Sequence, residues 1–436
     1  MIKRSNIKEI ICIILMLFVF CSCTSGDTGL KTIEGRVLDG VTGKPIKGAV
    51  ITAGNNESLT GDNGTFSMNV TVNTVGVRAC GYSRKLIPVV NSTVGKSFKI
   101  RLAPFTAKAL YLTYYGIGDR TLRGNAMDLI ERTELNSLVI DVKGDRGVRT
   151  YKSDIPMVST IGAQKLVIVK DIRALLGSLR EKGIYTIARI VVFKDDVLGR
   201  ARPDLTVKDA DGKTWRDKED LLWVDPSSKE VWDYNINIAE EAARVGFDEI
   251  QFDYVRFPDQ KGLKFAVENT EDKRVKNISG FLKEARRRLV SYNVFLSADI
   301  FGYVAWNTND TFIGQRLDAV APYVDYISLM LYPSGFQFGI PGYRNPVAHP
   351  HEIVSHTLNR ARERTNLSPL CFRPWLQAFR DYAFDRRHFN GPEIKTQINA
   401  AESFGSGGWM LWNPRNSYIS DGLKMKTHSE LIADRQ

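Results

Sequence analysis

From about residue 106 onward the chain repeats one pattern. An apolar run rich in β-branched residues is followed by a stretch whose apolar positions recur at helical spacing. The first kind reads as a buried strand and the second as an amphipathic helix, so their alternation predicts consecutive βα units. Eight strands are expected: KALYLTYYG (108–116), SLVIDVKGD (137–145), YTIARIVVF (185–193), EIQFDYVRF (249–257), VFLSADIFG (294–302), DYISLMLYP (325–333), CFRPWLQAF (371–379) and GGWMLWNP (407–414). Between them, residues 171–183 and 228–246 have helical period and end on Gly183 and Gly246, which suit a left-handed helix C-cap. Segments around 281–290 and 391–404 behave alike. The pattern predicts an α/β fold, a (β/α)8 TIM barrel over residues 105–436. The competing doubly wound sheet lacks its usual sign, because no glycine-rich phosphate loop follows the first strand.

Residues 33–104 have a different texture: short Val, Ile and Thr runs punctuated by Gly and Asn. GRVLD (35–39), GAVITA (48–53), GTFSMNV (64–70) and FKIRLA (98–103) read as strands, with turns at VTGKP (41–45) and GDNG (61–64). A small antiparallel β-sandwich is expected. Gly35, Val37, Asp39, Thr42, Gly43, Pro45, Gly48 and Ala49, then Thr60, Asp62, Gly64 and Phe66, resemble the carboxypeptidase regulatory-like, transthyretin-like domains. That resemblance implies a spacer or binding module. No convergent acids or histidines point to chemistry within it.

The N-terminus reads as a targeting signal. Lys3, Arg4 and Lys8 precede an apolar run of 11 residues, Ile10 to Phe20, too short to span a bilayer comfortably and suited to a signal peptide. Residues 1–22 are expected to be a leader and 23–32 a polar tether. Ser22 followed by Cys23 resembles a bacterial lipobox, although Phe20 stands where Leu is usual. The resemblance implies lipidation of Cys23, export, and attachment to a membrane of the cell envelope. Ordinary cleavage or an uncleaved anchor are the alternatives.

Hydrophobic content of 43% and charged content of 25% are values for a globular chain with a sizeable core. The net charge of +11 becomes +9 without residues 1–22, which would attract anionic headgroups or an acidic polysaccharide. No motif supports a nucleic-acid partner. Beyond Cys23 only Cys80 and Cys371 remain, in different expected domains and without CxxC spacing, so buried thiols are expected rather than a bridge. His349, His351 and His356 lie in HPHEIVSH without an accompanying acidic ligand set and are expected to begin a solvent-facing helix. No metal or cofactor is expected.

In such a barrel chemistry sits at the C-terminal ends of the strands. The polar residues interrupting apolar strands there are Asp141, Lys143, Arg189, Gln251, Asp253, Arg256, Asp299, Tyr332, Gln377 and Trp412. Period-two alternation puts Gln251, Asp253 and Val255 on one face of the fourth strand, and Ile250, Phe252 and Tyr254 on the other. Asp253 and Asp299 would then face the barrel mouth on adjacent strands, as an acid and nucleophile, or acid and base, for glycoside hydrolysis. Trp375, Trp409, Trp412 and Tyr332 offer flat faces for sugar rings, with Trp409 and Trp412 on opposite sides of their strand. Asp253 has a structural alternative as the ion-pair partner of Arg189 or Arg256, and Asp141 as a partner of Lys143 or Arg146.

Residues 106–416 resemble the glycoside hydrolase barrels long catalogued as a domain of unknown function and distantly related to the α-amylase superfamily. The resemblance rests on VIDVKGD (139–145), ARIVVFKD (188–195), GFDEIQFDYVRFP (246–258), SADIFG (297–302), DYISLMLYPS (325–334), PWLQAF (374–379) and GWMLWNP (408–414). It implies cleavage of a glycosidic bond. In α-amylase-like barrels the fourth strand carries an aspartate nucleophile within Gly-x-Arg-x-Asp, and Asp253 matches its position. Gln251 replaces the arginine, Asp299 stands where a glutamate acid is usual, and the late His-Asp pair has no counterpart in PWLQAFRDY.

The reading that follows is a lipid-anchored glycoside hydrolase acting on O-glycosyl bonds of a poly- or oligosaccharide. Asp253 is the expected nucleophile or base and Asp299 the expected acid. Asp141, Arg189, Arg256, Tyr332, Gln377 and Trp412 are the expected substrate contacts or positioning groups. The alternative is a non-catalytic carbohydrate-binding or envelope scaffold protein on a degenerate barrel.

Overall fold

The computed structural model describes residues 31–89, 97–427 and 429. The expected leader, Cys23 and the tether as far as residue 30 lie outside them. The small domain contains β1 (Lys31–Asp39), β2 (Val50–Ala53), β3 (Asn56–Leu59), β4 (Thr65–Val70), β5 (Thr74–Arg78), β6 (Lys85–Pro88) and β7 (Ser97–Leu102). They form two sheets, ordered β4-β1-β7 and β3-β2-β5-β6. Ile33 and Val37 of one sheet meet Ile51, Val75 and Val77 of the other in a single apolar core, which makes the domain a sandwich. It is not wholly antiparallel, because β1 and β7 pair in parallel. The strands β3, β5 and β6 escape sequence reading: they are only 4 or 5 residues long, and β3 (NESL) has a single apolar residue, the exposed Leu59.

The remaining strands are the eight expected ones: β8 (Ala107–Leu112), β9 (Ser137–Lys143), β10 (Tyr185–Val191), β11 (Glu249–Asp253), β12 (Phe295–Phe301), β13 (Tyr326–Met330), β14 (Trp375–Gln377) and β15 (Gly408–Trp412). They close into a parallel barrel in which β15 pairs with β8. The helix Ile172–Glu181 starts where Asp171 accepts the Ala174 amide at 2.9 Å, and the helix Lys229–Val245 ends on left-handed Gly246, φ +117°. Outward strand residues such as Phe252 pack against helical side chains, its ring 5.0 Å from that of Phe281. Inward residues Tyr111, Val139, Ile187, Trp375 and Met410 fill the barrel. Its floor carries the fully buried pair Glu249 and Arg373.

The sandwich docks on that floor. Arg84 pairs with Asp248 at 2.8 Å, Arg78 with Asp325 at 3.1 Å, and Asn293 donates to the Lys85 carbonyl at 3.1 Å. Asp248 and Asp325 immediately precede β11 and β13, and Asn293 lies two residues before β12, so the module occupies the end of the barrel opposite the C-terminal ends of its strands. Gly76 permits the approach, since a Cβ there would lie 2.4 Å from the Asn293 side chain. At this junction Cys80 and Cys371 are free thiols, as expected of residues without a bridge, but they are half-buried rather than buried and their sulfurs lie 2.6 Å apart.

Candidate active site

The fourth barrel strand does what its alternation predicts as far as Asp253. Gln251 and Asp253 face inward, whereas Ile250 and Phe252 join the outer core. The strand then stops, because Tyr254 adopts φ +49°. Left-handed backbone is uncommon for a bulky residue and costs on the order of 1–3 kcal/mol. Here it breaks the alternation. Tyr254 lines the site instead of the outer layer, and Val255 goes into the outer core. The Tyr254 amide also donates to Asp253 Oδ1 at 2.6 Å. Packing holds the turn in place, since the Tyr254 ring lies edge-on to Trp223 at 5.6 Å and beneath the Lys194 ammonium at 5.3 Å.

Asp253 is 6% exposed and its other oxygen accepts two N–H groups of Arg189, Nε at 2.9 Å and Nη2. Only N–H donors reach this carboxylate among the described residues. Arg189 projects from β10, where the pairing with β9 shifts register beside Arg189. Such irregularities re-aim side chains near sites. Its Nη1 donates to Asp141 at 2.6 Å, and the Tyr111 hydroxyl donates to the same carboxylate at 2.7 Å. Burial opposes the Arg189 charge, but Asp253 and Asp141 prevail and hold it well above its ordinary range. Burial pushes Asp141 up, with Arg189 and Tyr111 offsetting part of that.

Asp299, 1% exposed on β12, lives in different surroundings. One oxygen accepts the Trp375 indole N–H at 2.8 Å; the other is buried with no hydrogen-bond partner among the described residues. Burial raises its carboxyl well above the usual range, and the negative charge of Asp253 adds to this. Arg189 and Trp375 pull the other way without prevailing. Of two carboxyls on adjacent strands, one is thus clamped by a cation and the other favours its proton, a contrast that acid–nucleophile chemistry can use.

A cavity of about 250 Å3 opens between them. Asp253, Asp299, Arg189, Arg256, Tyr332 and Trp412 all line it, six of the eight residues expected at the site. Arg256 stacks 4.8 Å over Trp223 and donates to the Phe257 carbonyl at 3.0 Å; it makes no ion pair among the described residues. The other two expected residues are not part of this lining. Asp141 lies outside the cavity wall, positioning Arg189. Gln377 turns away from it: its amide donates to Ser334 Oγ at 2.7 Å and Phe379 O at 3.1 Å, and accepts the Ser334 amide at 3.0 Å. Lys143 also leaves the mouth and pairs with Asp195 at 2.7 Å, both fully buried.

The cavity also includes Tyr254, Phe301, Gln315, Met330 and Trp375, which sequence reading did not assign to catalysis. Of these only Trp375 carried a signal, as an aromatic near a strand end. Trp412 stacks on Tyr111 at 4.0 Å and stands edge-on to Trp375 at 5.4 Å, whereas Trp409 is buried in the outer core, as their opposite faces require. A larger cleft of about 600 Å3 lies beyond the ends of β14 and β15. Its lining includes Phe379, Tyr382, Arg380 and Arg415 but no carboxylate, so it cannot host the two-acid chemistry. His349 and His356 pack against the ring of Tyr343 at the start of the helix Pro350–Thr365. No group of three or more His, Cys, Asp or Glu side chains among the described residues is placed to hold a metal ion.

The chain is similar to several solved structures. A hypothetical protein from Ruminiclostridium thermocellum is 42% identical over 44% of this chain and 96% of its own, with a TM-score of 0.39. The PgaB (BpsB) glycoside hydrolase domain from Bordetella bronchiseptica is 14% identical over 74% of this chain and 100% of its own, at 0.50, a likeness of fold. The spore cortex-lytic enzyme SleL of Bacillus megaterium is 14% identical over 80% of this chain and 76% of its own, at 0.43. No curated protein matches the chain. The family described as "putative glycosyl hydrolase domain" matches residues 109–418, and the chain belongs to it.

Proposed function

We propose that the protein hydrolyses O-glycosidic bonds of a poly- or oligosaccharide, with Asp299 as general acid and Asp253 as nucleophile, or as base if the reaction inverts. The observation that carries this reading is the contrast between the two carboxyls. Asp253 receives only N–H donors, whereas Asp299 has a buried, unpartnered oxygen and a carboxyl pushed up by burial and by Asp253. A proton on Asp299 can pass to the leaving oxygen while Asp253 supplies an electron pair at the anomeric carbon or to water. Tyr332, Trp375 and Trp412 offer apolar faces to the sugar, and Arg189 and Arg256 supply donors at the wall.

The test is reducing-end release from a panel of bacterial, algal and plant polysaccharides, with the parent compared to Asp253→Asn. Release that falls by about a thousandfold in the variant supports the assignment. Equal release by both removes Asp253 from catalysis, and binding without release by either favours a carbohydrate-binding scaffold. The leader adds a location to the proposal: export and lipid attachment at Cys23. Acyl labelling of the chain that is lost in Cys23→Ser supports it, and labelling that persists sinks it.

A further inference from the structure

Cys80 follows β5 in the sandwich and Cys371 precedes β14 in the barrel, 291 residues away. Their sulfurs lie 2.6 Å apart, inside ordinary contact for unbonded sulfur and approaching the roughly 2.05 Å of a covalent bond. The juxtaposition does not depend on the two side chains alone. The Gly81 amide donates to the Tyr326 hydroxyl at 3.1 Å, and Cys80 Sγ to the Asp325 carbonyl at 3.0 Å. Left-handed Gly81, φ +80°, lets Leu370 pack closely, since a Cβ there would sit 2.9 Å from its methyls. Residues next to each cysteine, Gly81 and Leu370, therefore tie the two segments together. Arg78 and Asp325 add a buried ion pair one step further out.

We infer that Cys80 and Cys371 are a modification site, forming a disulfide that bolts the sandwich to the barrel floor. Both residues are half-buried, so a small disulfide donor can approach them. One cysteine, as thiolate, attacks a donor sulfur, forms a mixed disulfide and releases one donor thiolate. The second cysteine then attacks the protein sulfur of that mixed disulfide and releases the other. Two protons pass from the cysteines to the departing thiolates, and the two electrons of the new bond reduce the donor. Contact with Cys371, together with burial, holds the Cys80 thiol well above its usual range, which favours Cys80 as the second, resolving partner. The bond joins two domains otherwise held by ion pairs, hydrogen bonds and close packing such as that of Leu370 on Gly81, and it leaves the cavity at the opposite end untouched.

The test uses the full chain, reduced, freed of reductant and incubated with oxidised glutathione. Remaining thiols are then alkylated, and the protein is digested with trypsin without reduction. The expected result is loss of two alkylatable thiols and a linked pair of peptides, 79–84 and 365–380, two hydrogens lighter than their sum and separated by reductant. Recovery of both peptides singly alkylated, or each carrying its own glutathione, overturns the inference. So does a link from Cys80 or Cys371 to Cys12, Cys21 or Cys23. The Cys371→Ser variant must yield the Cys80 peptide unlinked; because the main reading is taken on the native chain, the conclusion does not require that variant to fold.

Discussion

Arg189 grips Asp253 with two N–H groups and reaches Asp141 with a third nitrogen, so one buried cation serves two buried carboxylates. Removing it leaves both buried acids without their cation. Arg189→Leu is expected to destabilise the fold by about 3–5 kcal/mol, the usual cost of breaking a buried pair from one side. Urea unfolding measures this, and a loss under about 1 kcal/mol would mean that water reaches the network.

Asp299 predicts the alkaline side of the activity profile. Its carboxyl is raised in the folded protein, so the acid form persists into higher pH and activity declines as pH climbs through that value. Asp299→Asn should lose most turnover on substrates with poor leaving groups, yet retain more on aryl glycosides, whose leaving oxygen needs little proton assistance. Comparable losses on both kinds of substrate would remove Asp299 from the role of acid.

The same raised carboxyl has a stability consequence. A carboxyl whose folded pKa exceeds its unfolded one contributes fully below the unfolded value, and its contribution disappears as pH rises through the folded value. Asp299→Asn, which cannot ionise, should therefore gain stability relative to the parent with rising pH. Denaturation midpoints that move in parallel across the pH range would contradict this.

Trp375→Phe keeps an aromatic face, though a smaller one, and removes the N–H that Asp299 accepts. That hydrogen bond lowers the Asp299 pKa, so its loss should shift the alkaline limb of kcat/KM to higher pH. A limb that stays put would show that Trp375 acts only as a wall.

Arg256 lines the cavity without an ion-pair partner among the described residues. If it holds substrate in ground and transition states alike, Arg256→Gln should raise KM several-fold and leave kcat near the parent value. A fall in kcat at unchanged KM would place it among the groups acting at the transition state.

All eight barrel strands, the inward aim of Gln251 and Asp253, and the opposed faces of Trp409 and Trp412 were legible along the chain. Each follows from a local rule, either the period of two along a strand or the helical period with its capping residues. The acids at the ends of β11 and β12 stood out because a carboxylate in an apolar strand demands a reason.

What lay beyond the sequence depends on contacts between distant residues. Tyr254 reverses its expected face because Trp223 and Lys194 support a left-handed backbone that no local propensity favours. A register shift beside Arg189 and a set of hydrogen bonds from the Ser334 loop decided that Asp141 supports the site from beneath and that Gln377 leaves it. The meeting of Cys80 and Cys371 required the sandwich to dock on the barrel floor. Local periodicity told which side of a strand each residue takes; which residues then meet was decided by closure of the barrel and docking of the module, long-range events with no local signature.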